Sequence, residues 1–355
     1  LTQKKAKIMN TSHIDKSNMY ESILNFPKHI QNSFDFFDKN SSISNNISEN
    51  INNILILGMG GSAITGLLFR EILCDYLDIP INIKQGYTIP KWVDSKTLVI
   101  ASSYSGNTEE TLIGLNKCKL KTTKIIAFTT GGDLYDFVLK NNYCHVLIPS
   151  GLQPRAALGY SFTLMLLMFN KIKFINDNII RNFKESLTDL SKYSNIFSVP
   201  KNENICYQIA KKIYKKNPVI YSEDGIFEII GYRLKCQLTE NSKILAFNNC
   251  IPEMNHNEIE AYTKNANINN FIIIWIDDKD IHPRNKRRLD ISKSILSEKI
   301  KKQIDIRLDL NNVKSSFVKY LIYINLMDWI SYYAAILKNV DPSIIPNINE
   351  LKKSL

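Results

Sequence analysis

Two short stretches of the chain carry residue types suited to gripping an anion. The first, Gly58-Met59-Gly60-Gly61-Ser62-Ala63, follows the apolar run Ile54–Leu57. Glycine permits a tight turn and close backbone approach, and the start of the helix that follows offers unpaired N–H groups at a positive dipole end. The second, Ser102-Ser103-Tyr104-Ser105-Gly106-Asn107-Thr108, follows Thr97–Ala101 and leads into the acidic pair Glu109-Glu110. The hydroxyls of Ser103, Ser105 and Thr108 can donate to phosphate oxygens. Ser, Thr and Asn are also favoured as helix caps without any ligand, but a cap accounts for one hydroxyl, not for three around a glycine. Gly58, Gly60 and Ala63 match a dinucleotide fingerprint as well. That reading requires an acid at the end of the second strand, and the second strand candidate ends at Lys84-Gln85-Gly86.

For the two loops to meet, the strands before them must lie side by side. Short β-branched runs bounded by Gly, Ser, Asn or Pro predict strands at Ile54–Leu57, Ile81–Lys84, Thr97–Ala101, Lys124–Thr129 and His145–Ile148. Helical patterns at Ala63–Tyr76, Glu109–Lys119 and Leu134–Asn141 separate them. This alternation predicts a parallel sheet with helices on both faces, whose ligands bind at the strand C-ends. A long helical stretch, Ala156–Phe197, breaks near Asn176. After Pro200 the pattern restarts, with strands expected at Val219–Tyr221, Lys243–Phe247, Phe271–Ile276 and Asp305–Leu308 and a last helix at Val313–Leu337. We therefore expect a helix (Tyr20–Phe37) and a loose linker within residues 1–53, one α/β domain over 54–199 and a second over 200–355.

The 355 residues are 44% hydrophobic and 22% charged, ordinary for a folded, soluble protein. Lys and Arg number 45 against 34 Asp and Glu, a formal net charge of +11, which favours anionic partners. The basic residues are mostly dispersed, however, and the clusters Lys211–Lys216 and Arg284–Lys302 are not interleaved with aromatics. They read as solvated helix faces, not a nucleic-acid platform. None of the six cysteines forms a C-x-x-C pair, which excludes zinc-ribbon and redox motifs and suggests buried free thiols in a reducing, cytoplasmic compartment. The chain begins at Leu1, Met9 offers a start, and no signal-peptide pattern is present. Phe317–Leu337 has the length of a membrane span, but Lys319, Asn325 and Asp328 fall inside it, so a buried core helix is expected.

The pairing of Gly60-Gly61-Ser62 with Ser103-Tyr104-Ser105-Gly106-Asn107-Thr108 resembles the sugar isomerase (SIS) domain family, which binds phosphosugars. Gln153-Pro154-Arg155, Glu240-Asn241-Ser242-Lys243 and Asn255-His256-Asn257-Glu258 are similar to the archaeal-type bifunctional phosphoglucose/phosphomannose isomerases. The likeness runs from Ile54 to Pro342. It implies two tandem SIS domains, each a flavodoxin-like parallel sheet covered by helices. It implies interconversion of glucose 6-phosphate and fructose 6-phosphate, with mannose 6-phosphate as a further substrate, in glycolysis and gluconeogenesis. It implies a homodimer without cofactor or metal; the dispersed charge and the polar residues in the last helix already argue against a nucleic-acid or membrane partner. Gly60, Gly61, Ser62, Ser103, Ser105 and Thr108 would hold the substrate.

Such an isomerase needs a base that moves one proton between C1 and C2 through a cis-enediol, and positive charge near the enediolate. Glu240 suits the base. At the end of a helical pattern its charge opposes the helix dipole, so a merely solvated carboxylate is less natural there. Arg155 cannot deprotonate and would stabilise the enediolate; the plain alternative is a surface arginine. His256, sixteen residues after Glu240, can titrate near neutrality; the resemblance implies that it opens the sugar ring from the second subunit of the dimer. Lys338, at the end of the last helix, would assist ring opening by the same resemblance, although a lysine there is also ordinary capping chemistry. Ser331, seven residues earlier, lies where the family links a small hydroxyl residue to mannose activity. His256, Glu258 and Glu260 lack the second histidine that a metal site would favour. His13, His29, His145 and His282 carry no functional expectation.

Three rival functions fit the sequence less well. A non-catalytic phosphosugar-sensing SIS module would bind without turnover, usually beside a DNA-binding domain, and residues 1–50 show no helix-turn-helix pattern. A glutamine-dependent amino-sugar synthase would need an N-terminal nucleophilic cysteine. A dinucleotide enzyme lacks its acid.

Overall fold

A computed structural model describes residues 11–44, 46–263 and 267–355; Met9 lies outside them. The chain forms two compact units, one spanning Asn25–Thr188, the other joining residues up to Leu24 with Asp189–Leu355. The segment expected as one helix over Tyr20–Phe37 is two: α1 (Met19–Leu24), in the second unit, and α2 (Phe26–Phe37), in the first. Asn25 and Pro27 at the start of α2 end one helix and begin the next.

In the first unit, the linker holds a two-residue strand, β1 (Ser41–Ser42). There follow β2 (Asn53–Leu57), α3 (Gly60–Leu73), β3 (Ile81–Lys84), β4 (Thr97–Ser102), α4 (Glu109–Cys118), β5 (Ile125–Thr129), α5 (Gly132–Lys140) and β6 (Cys144–Leu147). The sheet order is β1-β6-β5-β4-β2-β3. All pairs are parallel except β1 with β6. From β2 the chain moves one way to β3, then crosses back to β4, so the strand order reverses between β2 and β4. Strands β4 and β5 are wholly buried, as continuous apolar runs covered on both faces should be. A 3₁₀ turn (Pro154–Ala156) leads into α6 (Leu158–Lys171), then α7 (Asp177–Glu185). The break near Asn176 is a cap: its side chain accepts the Ile179 N–H.

His29 on α2 is only 7% exposed, stacks on Tyr160 of α6 with ring centroids 4.8 Å apart, and packs its Cβ toward Gly159. Burial, with a smaller contribution from Lys28, pushes its pKa down to about 4. The unfolded chain therefore takes up this proton below about pH 6.5 while the folded one resists until about 4, so stability falls as pH drops through that window. Between pH 7 and pH 5 the loss is about 2 kcal/mol. Thermal unfolding at both pH values should show a smaller acid shift in His29→Phe, which keeps the stack; an equal shift would locate the acid sensitivity elsewhere.

The second unit continues with α8 (Leu187–Ser198), α9 (Ile205–Ile213), β7 (Asn217–Glu223), α10 (Ile226–Ser242), β8 (Phe247–Ile251), β9 (Phe271–Ile276), α11 (Pro283–Ser297), β10 (Gln303–Ile306), α12 (Ser316–Leu337) and α13 (Pro346–Ser354). Its all-parallel order, β10-β9-β7-β8, winds as the first unit does. The strand expected at Lys243–Phe247 is displaced to Phe247–Ile251. Lys243 takes the left-handed conformation (φ 53°) and the Ile244 N–H bonds back to Leu238 O, so the apolar residues 244–246 close the helix. The long apolar helix α12 is a core helix, and no helix among the described residues is long and apolar enough to cross a membrane. Its charges are paired: Asp328 accepts from Arg233 Nε (2.9 Å), Arg233 Nη2 (2.8 Å) and Gln237 Nε2 (2.8 Å), and Lys319 bonds Asp278 and Asp280. Removing one partner of such a buried pair costs about 3–5 kcal/mol.

Candidate active site

Leu57 and Ala101 are register partners across β2 and β4, so the loops after them leave the sheet together where its strand order reverses, the place where ligands bind in wound sheets. Neither following helix has a side-chain cap. The N-cap residue of α3 is Met59, which has no suitable oxygen. That of α4 is Thr108, whose hydroxyl instead meets Ser103 Oγ at 2.7 Å. Neither helix start carries a side-chain cap; at α3 the Ser62 and Ala63 N–H groups turn back to Met59 O (3.1 and 3.3 Å), and the earlier first-turn N–H groups are of the kind that can receive an anion. Ser62 is half-buried and Ser105 exposed at this edge. Ser103 is 1% exposed, and its Oγ also accepts the Gly106 N–H (3.1 Å); its hydroxyl shapes the loop from inside.

The loop is locked to its neighbours. Thr130 N donates to Tyr104 O (3.1 Å), Leu134 N to Gly106 O (3.0 Å) and Asp133 N to Asn107 Oδ1 (3.0 Å). Tyr104 OH donates to Pro149 O (3.0 Å) and accepts from Leu152 N (3.1 Å), holding the segment that leads to Arg155. Arg155 lies in the 3₁₀ turn and is 5% exposed, not a surface residue. That turn packs on Gly61, where a Cβ would stand 3.2 Å from Pro154 O and 3.7 Å from Arg155 Cα. The first unit therefore brings Gly60, Gly61, Ser62, Ser103, Ser105, Thr108 and Arg155 to one neighbourhood.

The matching turns of the second unit are built differently. At the end of β7 and in the turns after β7 and β9 stand Glu223, Asp224, Asp277, Asp278 and Asp280, where the first unit has glycines and hydroxyls ahead of Glu109 and Glu110. Glu223 Oε1 accepts from His282 N (2.9 Å) and Asn285 Nδ2 (2.9 Å), and His282 Nδ1 caps α11 by accepting from Arg284 N (3.2 Å). These carboxylates repel an anion, and one of them already occupies the helix start.

The second unit supplies a different group at the opposite edge of its sheet. Glu240 lies half-buried in the last turn of α10. Its awkward place against the helix dipole is relieved by Lys243, whose Nζ donates to Glu240 O (2.9 Å), Asn241 O (3.3 Å) and Asp341 O (2.6 Å). Lys338, exposed at the end of α12, donates through Nζ to Lys243 O. Asn241 Nδ2 donates to Ser331 Oγ (2.9 Å) and Ser242 Oγ to Ser331 O (2.6 Å). Ser331 is fully buried, its own hydroxyl donating to Asp328 O (2.8 Å). Glu240, Lys338 and Ser331 are thus tied together, and a cavity of about 490 Å³ lined by Lys215, Lys216, Asn217, Lys243 and Lys338 adjoins them.

His256 is not with them. It sits exposed in a 3₁₀ turn (Glu253–His256) after β8, whereas Glu240 precedes β8. A five-residue strand at about 3.3 Å per residue puts roughly 16 Å between the two edges. Sequence spacing alone did not reveal this separation. Nor did it reveal the partners of Glu258, whose carboxylate accepts from Tyr221 OH (2.6 Å) and Asn249 Nδ2 (2.6 Å). Burial raises the Tyr262 phenol beside them to about 12 and pushes that of Tyr221 up further.

Comparison with known proteins adds the family. Residues 49–171 match the SIS domain and residues 202–355 the bacterial phospho-glucose isomerase C-terminal SIS domain. A bifunctional phosphoglucose/phosphomannose isomerase of Caldicellulosiruptor bescii is 41% identical over 95% of this chain and 98% of its own length. One from Thermoplasma acidophilum is 34% identical over 85% of this chain and 89% of its own. Among solved structures, the C-terminal domain of a glucosamine-fructose-6-phosphate aminotransferase from Francisella tularensis shares the fold, with a TM-score of 0.70 at 17% identity over 92% of this chain and 98% of that one. The fold, the paired loops and these relatives lead to one assignment: the chain belongs to the bifunctional phosphoglucose/phosphomannose isomerases, built from two SIS domains.

Proposed function

We propose that this chain interconverts glucose 6-phosphate and fructose 6-phosphate, and converts mannose 6-phosphate to the same ketose, by proton transfer through a cis-enediol. The observation that carries the reading is the pair of helix starts without side-chain caps at the β2/β4 edge, with Arg155 packed against Gly61. The N–H groups of those helices, with Ser62, Ser105 and Thr108, hold the phosphate, while Ser103 and Gly106 fix the loop. Arg155 stabilises the enediolate. Glu240 takes the proton from C2 of the aldose and returns it to C1, and the reverse. Lys338 assists ring opening with His256, which comes from a second copy of the chain in a homodimer. The roughly one-strand separation of Glu240 from His256 supports a shared site. We take domains 54–199 and 200–355 as the working parts, acting in the cytoplasm without metal or cofactor.

A coupled assay with excess EDTA tests this. Turnover of both fructose 6-phosphate and mannose 6-phosphate is the expected result. Turnover of the glucose/fructose pair alone removes the mannose claim. Thermal stabilisation by a phosphosugar without turnover makes the chain a sensor instead.

A further inference from the structure

The segment carrying His256 consists of two 3₁₀ turns, Glu253–His256 and Glu258–Ala261, with the histidine exposed at the end of the first. An exposed imidazole on an unpinned turn would sample many positions, and a catalytic group has to be held within a fraction of an ångström. On the C-terminal side of the imidazole, the nearest tie of this segment to the sheet is one carboxylate. Tyr221 and Asn249 are register partners across β7 and β8, so their side chains leave the sheet on the same face as neighbours. Tyr221 OH donates to Glu258 Oε1 (2.6 Å) and Asn249 Nδ2 to Glu258 Oε2 (2.6 Å). Both donors are themselves fixed. Tyr221 is fully buried and packs on Trp275 with ring centroids 5.1 Å apart. Asn249 Oδ1 accepts the Cys250 N–H (2.8 Å), which leaves its amide nitrogen aimed at Glu258. The Tyr221 hydroxyl also meets Tyr262 OH at 2.7 Å, so the far end of the segment is held by the same group. On the near side Asn255 Nδ2 donates to Ser292 Oγ (2.7 Å), and Met254 is fully buried.

We infer that Glu258 is the positioning residue for His256: it anchors the histidine's segment to the β7–β8 ladder, two residues from the imidazole. The inference rests on His256 acting in the proposed isomerisation. Glu258 touches no reacting atom in this role. A carboxylate suits the position because both of its neighbours in the ladder approach as donors. Glutamine keeps most of the anchor: its carbonyl accepts from Asn249, its amide donates to the Tyr221 oxygen, and Tyr221 then donates to Tyr262. Alanine removes it.

A double-mutant cycle separates positioning from mere stability. Turnover of fructose 6-phosphate is measured for the full-length wild type, His256→Ala, Glu258→Ala, Glu258→Gln and the His256→Ala/Glu258→Ala pair. Expected are a tenfold or greater loss in kcat for Glu258→Ala, recovery to within threefold for Glu258→Gln, and no more than a twofold further loss when Glu258→Ala is added to His256→Ala. A Glu258→Ala enzyme with wild-type kcat overturns the inference. So does a Glu258→Ala loss that is multiplied in full onto His256→Ala, because an anchor whose only catalytic task is to hold the imidazole has nothing left to hold. Should Glu258→Ala not fold, a Glu258→Gln enzyme as impaired as His256→Ala overturns it equally. Wild-type kcat in His256→Ala itself shows instead that the reading of the histidine has failed, and the inference falls with it.

Discussion

Glu240→Gln should cost about 10³-fold or more in kcat, near the upper part of the range for a positioned general base, while leaving KM and the melting temperature close to wild type. The geometry explains why this variant isolates chemistry. Glu240 is held in place through its main chain: Lys243 Nζ bonds the carbonyls of residues 240 and 241, and the next side chains, Asn241 and Ser242, clamp to Ser331. The amide keeps the size and shape of the carboxylate, and these main-chain and neighbouring side-chain bonds hold the position in either variant. On the proposed reading the phosphate is held by Ser62, Ser105 and Thr108, none of which the substitution changes. Loss confined to kcat marks an interaction made on the way to the transition state, whereas a rise in KM alone would mark lost binding. Thermal stabilisation by fructose 6-phosphate should persist in the variant. A kcat within tenfold of wild type would remove Glu240 from the base role.

The order of the fold was legible because its strands are short and β-branched between punctuating residues. Ile81–Lys84 and Phe271–Ile276 begin and end where the pattern puts them. The Asn176 break was legible because Asn prefers a cap to a helix interior. Strand β8 was misplaced because its own sequence, Phe-Asn-Asn-Cys-Ile, is the less apolar neighbour of Ile244-Leu245-Ala246, and nothing local says that Lys243 turns left-handed and spends that run on closing α10. The two-residue β1 carries no pattern at all and exists through its pairing with β6.

The candidate site was legible to the same degree. The glycines and hydroxyls at the ends of β2 and β4 could be placed from sequence because what places them is local: a turn and a helix start. Contacts set by register are not local. Glu258 meets Tyr221 37 residues away, and only because Tyr221 lies opposite Asn249 in the ladder. Lys243 and Lys338 are tied through a carbonyl 95 residues distant from the second of them. Likewise the distance between Glu240 and His256 follows from a strand lying between them, which turns a close sequence spacing into opposite sheet edges. On the proposed roles, a base and an acid at opposite edges of one sheet call for a site shared between two copies, so mixing Glu240→Gln with His256→Ala chains should restore turnover, and no rescue would remove the shared site.

The anion seat itself can be broken with one carbon atom. Gly106 has φ +75°, and a Cβ there would lie 1.8 Å from Gly131 O and 2.7 Å from Gly131 C. The strained conformation costs about 1–2 kcal/mol for a non-glycine residue, and the clash is worse because the obstacle cannot yield. Thr129 Oγ1 donates to that same Gly131 carbonyl at 2.7 Å, and the Gly106 carbonyl is committed to Leu134 N. The loop must move instead, pulling the Gly106 N–H off Ser103 Oγ and disturbing the Ser103–Thr108 pair that keeps Thr108 from capping α4. Once Thr108 is released, its hydroxyl is free to accept from the first turn, and the seat fills with its own cap. Gly106→Ala should therefore raise KM for every phosphosugar by about 100-fold, equivalent to about 2.7 kcal/mol of lost binding, with a smaller effect on kcat at saturation. Gly60→Ala is the control within the same site. Gly60 also has positive φ (+51°), but a Cβ there meets nothing within 4 Å, so only conformational strain remains and KM should rise less than tenfold. If the two alanine variants raise KM equally, the clash with Gly131 is not what keeps the seat open; if Gly106→Ala leaves KM within threefold of wild type, the phosphate is not held at the start of α4.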